Sequence, residues 1–481
     1  MRVRLAQWET VHGVLVFGAL LVLLLYVPIP LGSNRPLAWF AWEIAVYGLL
    51  AFWAIGLVAG RTRSRFAAAP ARIMAVLILW LLLIRLQSLA LPAGLVAALS
   101  PLAHAMQQNL GLISVAAPNT LSMDPANSYN EFLKYGSYVA VFALTLAAVT
   151  TKTRLLMLAG TVILAGVLES LFGIYSHATG YVIFPETEAA NELRAGTFVN
   201  RNHFANLLTM SLGLVLGLMT GIVNGQPEGH RLKFNYYKDA DLALFLLLLG
   251  TALLIVAGIF VSGSRAPIVF FSVAFGLMLV VARSVQRPST GELVLVPLML
   301  VGVAGAIVAM GFDESMIRLF DRDFTGGERM VQNAAGLKLL SVVWLAGVGA
   351  GNYQWVFPMF RGDDLRFVTY DHAHNDYLQS AIEQGIPVAL VLALGIALIL
   401  RELCRGYSAR RNPVIRGVIF GCLMSTGFML LHALVEFSFR IPANAVYFFV
   451  IAGLGIAACR IDRGEWRSRR TRVESGAKNE K

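Results

Sequence analysis

Charge is scarce in this sequence: only 14% of its 481 residues are Asp, Glu, Lys or Arg, whereas 57% are hydrophobic, and the mean hydropathy is +0.68. Soluble globular chains carry about 25% charged residues, so the composition excludes a water-soluble domain and makes the bilayer the main solvent. Cysteine is equally sparse. The three present, Cys404, Cys422 and Cys459, fall in or beside the last hydrophobic segments and share no CxxC or metal-ligand spacing, which leaves them as packing residues. The N-terminal run has a basic start but no small-x-small cleavage site after its apolar stretch, so it reads as a retained first helix. No repeat of 20–50 residues is visible.

What the sequence has in abundance is long apolar runs. Stretches long enough to span a bilayer fall near 11–31, 38–59, 72–92, 133–150, 154–176, 204–223, 240–262, 266–283, 292–311, 386–403, 417–437 and 443–459. Two further runs, 93–110 and 334–350, are interrupted by Pro101 and His104 and by Lys338, and read as interfacial helices or extra spans. Charge chooses between these readings. The net charge of +11 suits a membrane protein whose basic loops anchor on the cytoplasmic side. With twelve spans and a cytoplasmic N-terminus, 26 of the 39 Lys and Arg fall on the cytoplasmic side, and half of the outer ones lie in the long loop 312–373, where the positive-inside rule counts little. Promoting 334–350 alone to a span throws Arg405, Arg410, Arg411 and Arg416 outside. The expected fold is therefore an all-α polytopic membrane protein of about twelve transmembrane helices. Both termini are cytoplasmic, and a long outer loop joins the ninth and tenth spans. Residues 1–150 form the first four helices, 151–460 the functional core, and 461–481 a basic cytoplasmic tail, a solvated stop-transfer flank.

This topology puts three polar segments on the outer face. The first, from Arg194 through Gly196, Asn200, Arg201 and Asn202 to His203, offers guanidinium and amide donors to a phosphate or sugar, or else simply anchors the loop at the interface. The second is the turn Ser262-Gly-Ser-Arg265. It holds a guanidinium at headgroup level, where it can grip a pyrophosphate bidentately, against the simpler reading of a charge anchor. The third begins at Asp371. Asn375, Leu378, Ile382 and Gly385 fall at helical spacing, which predicts a short helix ending at Gly385 before Pro387 opens the next span. His374 then stands at the helix N-terminus, a placement suited to a general base, while Glu383 reads as structural. His372 and His374 with Asp371 and Asp376 also make a conceivable metal set, but only in an extended chain, and no metal is assigned. A fourth set, His432, Glu436 and Arg440, is spaced by four residues, which predicts one face of the eleventh span and a self-satisfied structural ion pair.

Taken together, GTFVNRNHFANLL at 196–208, SGSRAP at 262–267, ERMVQNAAGLKLL with GVGAGNY at 328–353, HAHNDYLQSAIEQGIP at 372–387 and HALVEFSFRIPANA at 432–445 resemble the O-antigen ligase and polymerase family of bacterial membrane glycosyltransferases. The resemblance covers roughly residues 155 to 458, and the HxHNxYLxxxxExG block is its most specific part. It implies a helical fold of the lipid-phosphosugar glycosyltransferase (GT-C-like) type in the bacterial inner membrane, a periplasmic active site, an undecaprenyl-pyrophosphate-linked glycan donor, a glycan or lipid acceptor, and chemistry without metal or other cofactor. By the same resemblance Arg265, and Arg194 or Arg201, contact the donor pyrophosphate, His374 is the family histidine, and Asn202, Arg329 and Asn375 line the substrate site. The chemistry serves ligase and polymerase alike, and with no evident lipid-A cradle the reading inclines to a polysaccharide or exopolysaccharide polymerase. A transporter or flippase of lipid-linked glycans is the alternative from another class. It fits less well, because the polar motifs gather at one face and no matching halves are present.

Overall fold

The structure, a computed structural model, describes residues 2–60, 68–112, 118–184, 195–285 apart from 228, 232, 234 and 236, then 290, 291, 293, 295, 327–362 and 369–479. Fifteen labelled helices organise it. They are α1 (Arg2–Tyr26), α2 (Pro36–Val58), α3 (Ala68–Gln87), α4 (Ala93–Leu99), α5 (Pro101–Leu112), α6 (Pro125–Ala148), α7 (Lys152–Thr179), α8 (Arg201–Gly225), α9 (Asp239–Ser262), α10 (Ala266–Val285), α11 (Gly327–Val343), α12 (Asp376–Gln384), α13 (Ile386–Ala409), α14 (Pro413–His432) and α15 (Pro442–Asn479). Among the described residues there is no strand.

Nine of these helices are long and apolar enough to cross a membrane: α2, α3, α7, α8, α9, α10, α13, α14 and the first part of α15. Helix α1 adds the shorter apolar stretch Val11–Tyr26, and α6 covers the expected fourth span. The expected span at 292–311 falls largely outside the described residues. Chain chemistry sets several helix starts: Thr151, Asn200 and Asn412 each cap a helix N-terminus with a side-chain oxygen, and Pro36, Pro387 and Pro413 occupy the first turns of α2, α13 and α14, where a missing N–H costs nothing.

A helix that is apolar all round is either lipid-facing or central, and burial separates the two. The apolar window of α15 is 100% buried and that of α8 is 94% buried, against 28% for α2 and α3 and 17% for α13. Helices α8, α14 and α15 thus form the middle of the bundle and α2, α3 and α13 its perimeter. Small residues let α8 and α14 meet backbone to backbone. A Cβ on Gly417 would lie 2.3 Å from the Gly217 carbonyl oxygen. Such contact supplies the van der Waals packing that associates helices where the surrounding lipid offers no hydrophobic drive.

A second layer covers one end of the bundle. Helices α4 and α5, of 7 and 12 residues, are too short to span and lie in this layer. The described part of the expected loop 312–373 is largely folded. Leu339 and Val343 of α11 pack with Val348, Tyr353, Phe357, Leu378 and Ile382 in a hydrophobic cluster separate from the bundle core. The glycine-rich run 347–351 seals this layer against the end of α12. The Val348 and Gly349 amides donate to the carbonyls of Ile382 and Glu383 at 2.9 Å each. Gly347 has φ +72°, and a Cβ there would meet the Glu383 oxygen at 2.3 Å, so backbone approach requires glycine.

Candidate functional site

The site lies where the second layer meets the bundle. Helix α9 ends at Ser262 with Gly263 left-handed at φ +65°, the C-terminal cap that lets α10 start at Ala266. The turn between them is as tight as its sequence predicts. Helix α8 opens under the Asn200 cap with Arg201 and Asn202 in its first turn. Helix α12 runs between the expected limits, capped by Asn375, whose side-chain oxygen accepts from the Tyr377 and Leu378 amides at 3.1 and 3.0 Å, and closed by Gly385 at φ +80°. His374 directly precedes the cap and is one of three non-glycine residues in the left-handed region among the described residues, at φ +48°.

These separate segments converge on a carboxylate. Glu436, 1% exposed, lies 2.9 Å through Oε1 from His374 Nδ1. Its Oε2 accepts from the Asn202 amide at 2.7 Å, and the Asn202 oxygen in turn accepts from the Ser264 hydroxyl at 2.7 Å. The Arg329 guanidinium stands 3.7 Å from the same Oε2 and donates to the Val435 carbonyl at 3.3 Å. Burial alone would raise the proton affinity of Glu436. The hydrogen bond from His374 and the positive charge of Arg329 oppose it, and the carboxyl is held well below the usual range. Phe437 forms an apolar floor: His372 stacks on it with ring centroids 4.4 Å apart, and His203 and His374 meet it edge-on at 4.6 and 4.8 Å.

A second ion cluster flanks the first. The Arg440 guanidinium, buried, donates to Glu383 at 2.6 Å and to Tyr135 and lies 3.6 Å from Asp376. Asp376 Oδ2 accepts from the Phe439 amide at 2.9 Å. Burial pushes Asp376 up to about 7 against the opposing pull of Arg440. Burial, with the Arg440 charge behind it, pushes His372 down to about 3. Glu383 is fully buried and bonded to Arg440 and Gln379.

Of the expected site residues, His374, Asn202 and Arg329 are brought together directly. Arg265 adjoins the Ser264 that bonds Asn202, and its own carbonyl accepts from the Ile268 and Val269 amides in the first turn of α10. Arg201 is exposed beside Asn202, and Arg194 lies outside the described residues. Asn375 spends its oxygen on the α12 cap. The spacing of His432, Glu436 and Arg440 misleads: α14 stops at His432, and the chain then turns through Ala433–Phe437 into a 3-10 turn, Ser438–Arg440. The three residues therefore share no helix face, and Glu436 and Arg440 serve different clusters. Among the described residues no three His, Cys, Asp or Glu side chains are grouped to hold a metal ion.

Fold and site define a helical, multi-pass membrane protein whose polar cluster gathers at one end of the bundle. Residues 250–393 match the family model described as O-antigen ligase, which supports the family read from the motifs. The match takes in Arg265, Arg329, His374 and Asn375 but stops short of Glu436. No curated protein matches the chain.

Proposed function

We propose that this protein is an inner-membrane glycosyltransferase that moves or polymerises glycan from an undecaprenyl-pyrophosphate-linked donor at the periplasmic face. The observation that carries the reading is the convergence of four distant segments, around residues 202, 264, 329 and 374, on buried Glu436. A bundle held together only by packing has no need of such a meeting, whereas a transfer reaction needs cations and a base fixed at one place. Its position also supports the face. The site end carries α8's first turn and the α9–α10 turn, while Lys152, Arg154, Arg283, Arg410, Arg411 and Arg416 stand at the opposite helix ends, the arrangement expected if that opposite end is cytoplasmic.

In this mechanism Arg265, and Arg201 or Arg194, neutralise the charge that develops on the leaving diphosphate, the largest electrostatic task of the transfer. Arg329 adds positive potential beside them. His374 takes the proton of the acceptor hydroxyl as its oxygen attacks the anomeric carbon, with inversion expected for direct attack. Asn202 and Asn375 act through the protein, the first tethering Glu436 to Ser264 and the second capping α12. No step calls on a metal. Acceptor choice separates ligase from polymerase, since the same transfer chemistry serves both. Replacing Arg265 or His374 by Ala is expected to remove polymer or ligated glycan from cells while the protein remains inserted. Wild-type product in both variants overturns the scheme.

A further inference from the structure

The contact between His374 and Glu436 determines more than proximity. A carboxylate held in its charged form has no proton to donate, so a 2.9 Å approach to Nδ1 requires that nitrogen to carry the hydrogen. A neutral imidazole has only one N–H. With the proton fixed on Nδ1, the lone pair falls on Nε2, the other edge of the ring. Glu436 is poorly placed to turn away from this task. Its Oε2 holds the Asn202 amide at 2.7 Å, and its Oε1 also accepts from the Phe437 backbone N–H at 3.2 Å. The groups facing it are His374 ahead of α12, Asp376 at the start of α12, Asn202 and His203 of α8, Arg329 of α11 and His432 at the end of α14. The left-handed backbone of His374 is a conformation that costs energy for a residue with a Cβ. It is held from both sides, by this contact and by the Asn375 cap immediately after it.

We propose that Glu436 is the positioning residue of the site, holding His374 with its proton on Nδ1 so that Nε2 is the atom that meets the acceptor hydroxyl. The inference rests on the reading of His374 as the base. In the step it serves, the acceptor O–H breaks and its proton passes to Nε2, the acceptor oxygen bonds to the anomeric carbon, and the bond from that carbon to the phosphate oxygen breaks. The electron pair leaves with the diphosphate. The resulting imidazolium sits against a carboxylate that is already aligned, and releases its proton to the diphosphate or to solvent. Glu436 never touches the substrate in this scheme. It acts through the imidazole and, through Asn202 and Ser264, keeps the turn that bears Arg265 in register with it.

Direction in the hydrogen-bond chain makes the proposal testable with one near-isosteric change. Ser264 donates to the Asn202 oxygen, which leaves the Asn202 amide as donor toward position 436. In Glu436→Gln the 2.7 Å Asn202 contact outweighs the longer one from the Phe437 amide, so the new side chain turns its oxygen to Asn202 and its NH2 to His374 and gives up the Phe437 hydrogen bond. Nδ1 then has to accept, which moves the imidazole proton to Nε2 and removes the base from the reacting edge. The variant should lose about 10²- to 10⁴-fold in kcat with KM changed by less than about threefold, as expected when ground-state binding is untouched. The spectroscopic signature is separate from activity. In protein labelled with 15N-histidine and reconstituted in lipid, where only eight histidines contribute and the His374→Ala difference spectrum assigns the signal, neutral wild-type His374 should show a protonated Nδ1 and a bare Nε2. The Glu436→Gln variant should show the reverse. An active wild-type protein with the proton on Nε2 overturns this inference alone, even if Glu436→Gln fails to insert. A Glu436→Gln variant with wild-type kcat overturns it as well. A wild-type protein with the expected tautomer that transfers no glycan overturns instead the transferase reading on which the inference stands.

Discussion

At the scale of single residues, the account turns on how buried charges are satisfied. Arg440 is shared among Glu383, Asp376 and Tyr135 in a setting almost without solvent. Removing one partner of such a pair strands the other, so Arg440→Ala should destabilise by about 3–5 kcal/mol, read as a lowered thermal unfolding midpoint in detergent. An unchanged midpoint would show that the guanidinium is dispensable to the fold. His372 gives a pH prediction with a definite sign. Its folded-state value, about 3, lies below the ordinary 6.5, so the native state prefers the neutral ring. Its stabilising contribution is complete above about 6.5 and is lost as pH falls toward 3. Acidification through that window should lower the unfolding midpoint of wild type more steeply than that of His372→Phe, which keeps the ring on Phe437 but has nothing to protonate. Parallel slopes would remove His372 from the explanation.

Residues also show where the sequence was readable. Asn375, Gly385 and Pro387 are punctuation with a local physical cause, and the helix they bracket forms between them. Glu436 stands in the segment HALVEFSFRIPANA, yet its spacing from His432 and Arg440 points to a continuous helix. Spacing of four signals a shared face only while the helix continues. Here Asp376 donates its amide to the Ala433 carbonyl and Asp376 and Glu383 draw Arg440 aside, partners sixty residues away in sequence. Pro442, which opens α15, was the one local hint that a helix ends before it.

At the scale of elements, apolar length was legible and depth in the bundle was not. The hydrophobic run that became α13 resembles the one that became α15, but the first is 17% and the second 100% buried across its apolar window, a difference set by neighbours rather than composition. Glycine placement offered the better clue to closeness. Gly417 faces the Gly217 carbonyl across the α8–α14 contact, so Gly417→Leu should force the two helices apart and destabilise by about 1–3 kcal/mol or more. Since α8 carries Asn202 and α14 leads into Glu436, transfer activity should fall with stability. A variant of normal stability and activity would show that the close crossing is not required.

At the scale of the whole molecule, the charge distribution and the polar cluster make one joint statement about orientation. Single cysteines at positions 201 and 411, in a background where Cys404, Cys422 and Cys459 are replaced, should label from opposite sides of the membrane, position 201 from outside the cell membrane and position 411 from the cytoplasm. Labelling of both from one side would undo the proposed topology and the proposed extracytoplasmic site with it.

Orientation alone does not establish chemistry. The most direct measurement is glycan transfer by the purified protein in detergent, with no sealed vesicle, from an undecaprenyl-diphosphate-linked glycan to a supplied acceptor. The account predicts elongated or transferred product from wild type and a loss of at least about a hundredfold in His374→Ala. Product formed equally well without the imidazole, or none from wild type with donor and acceptor both present, would contradict it.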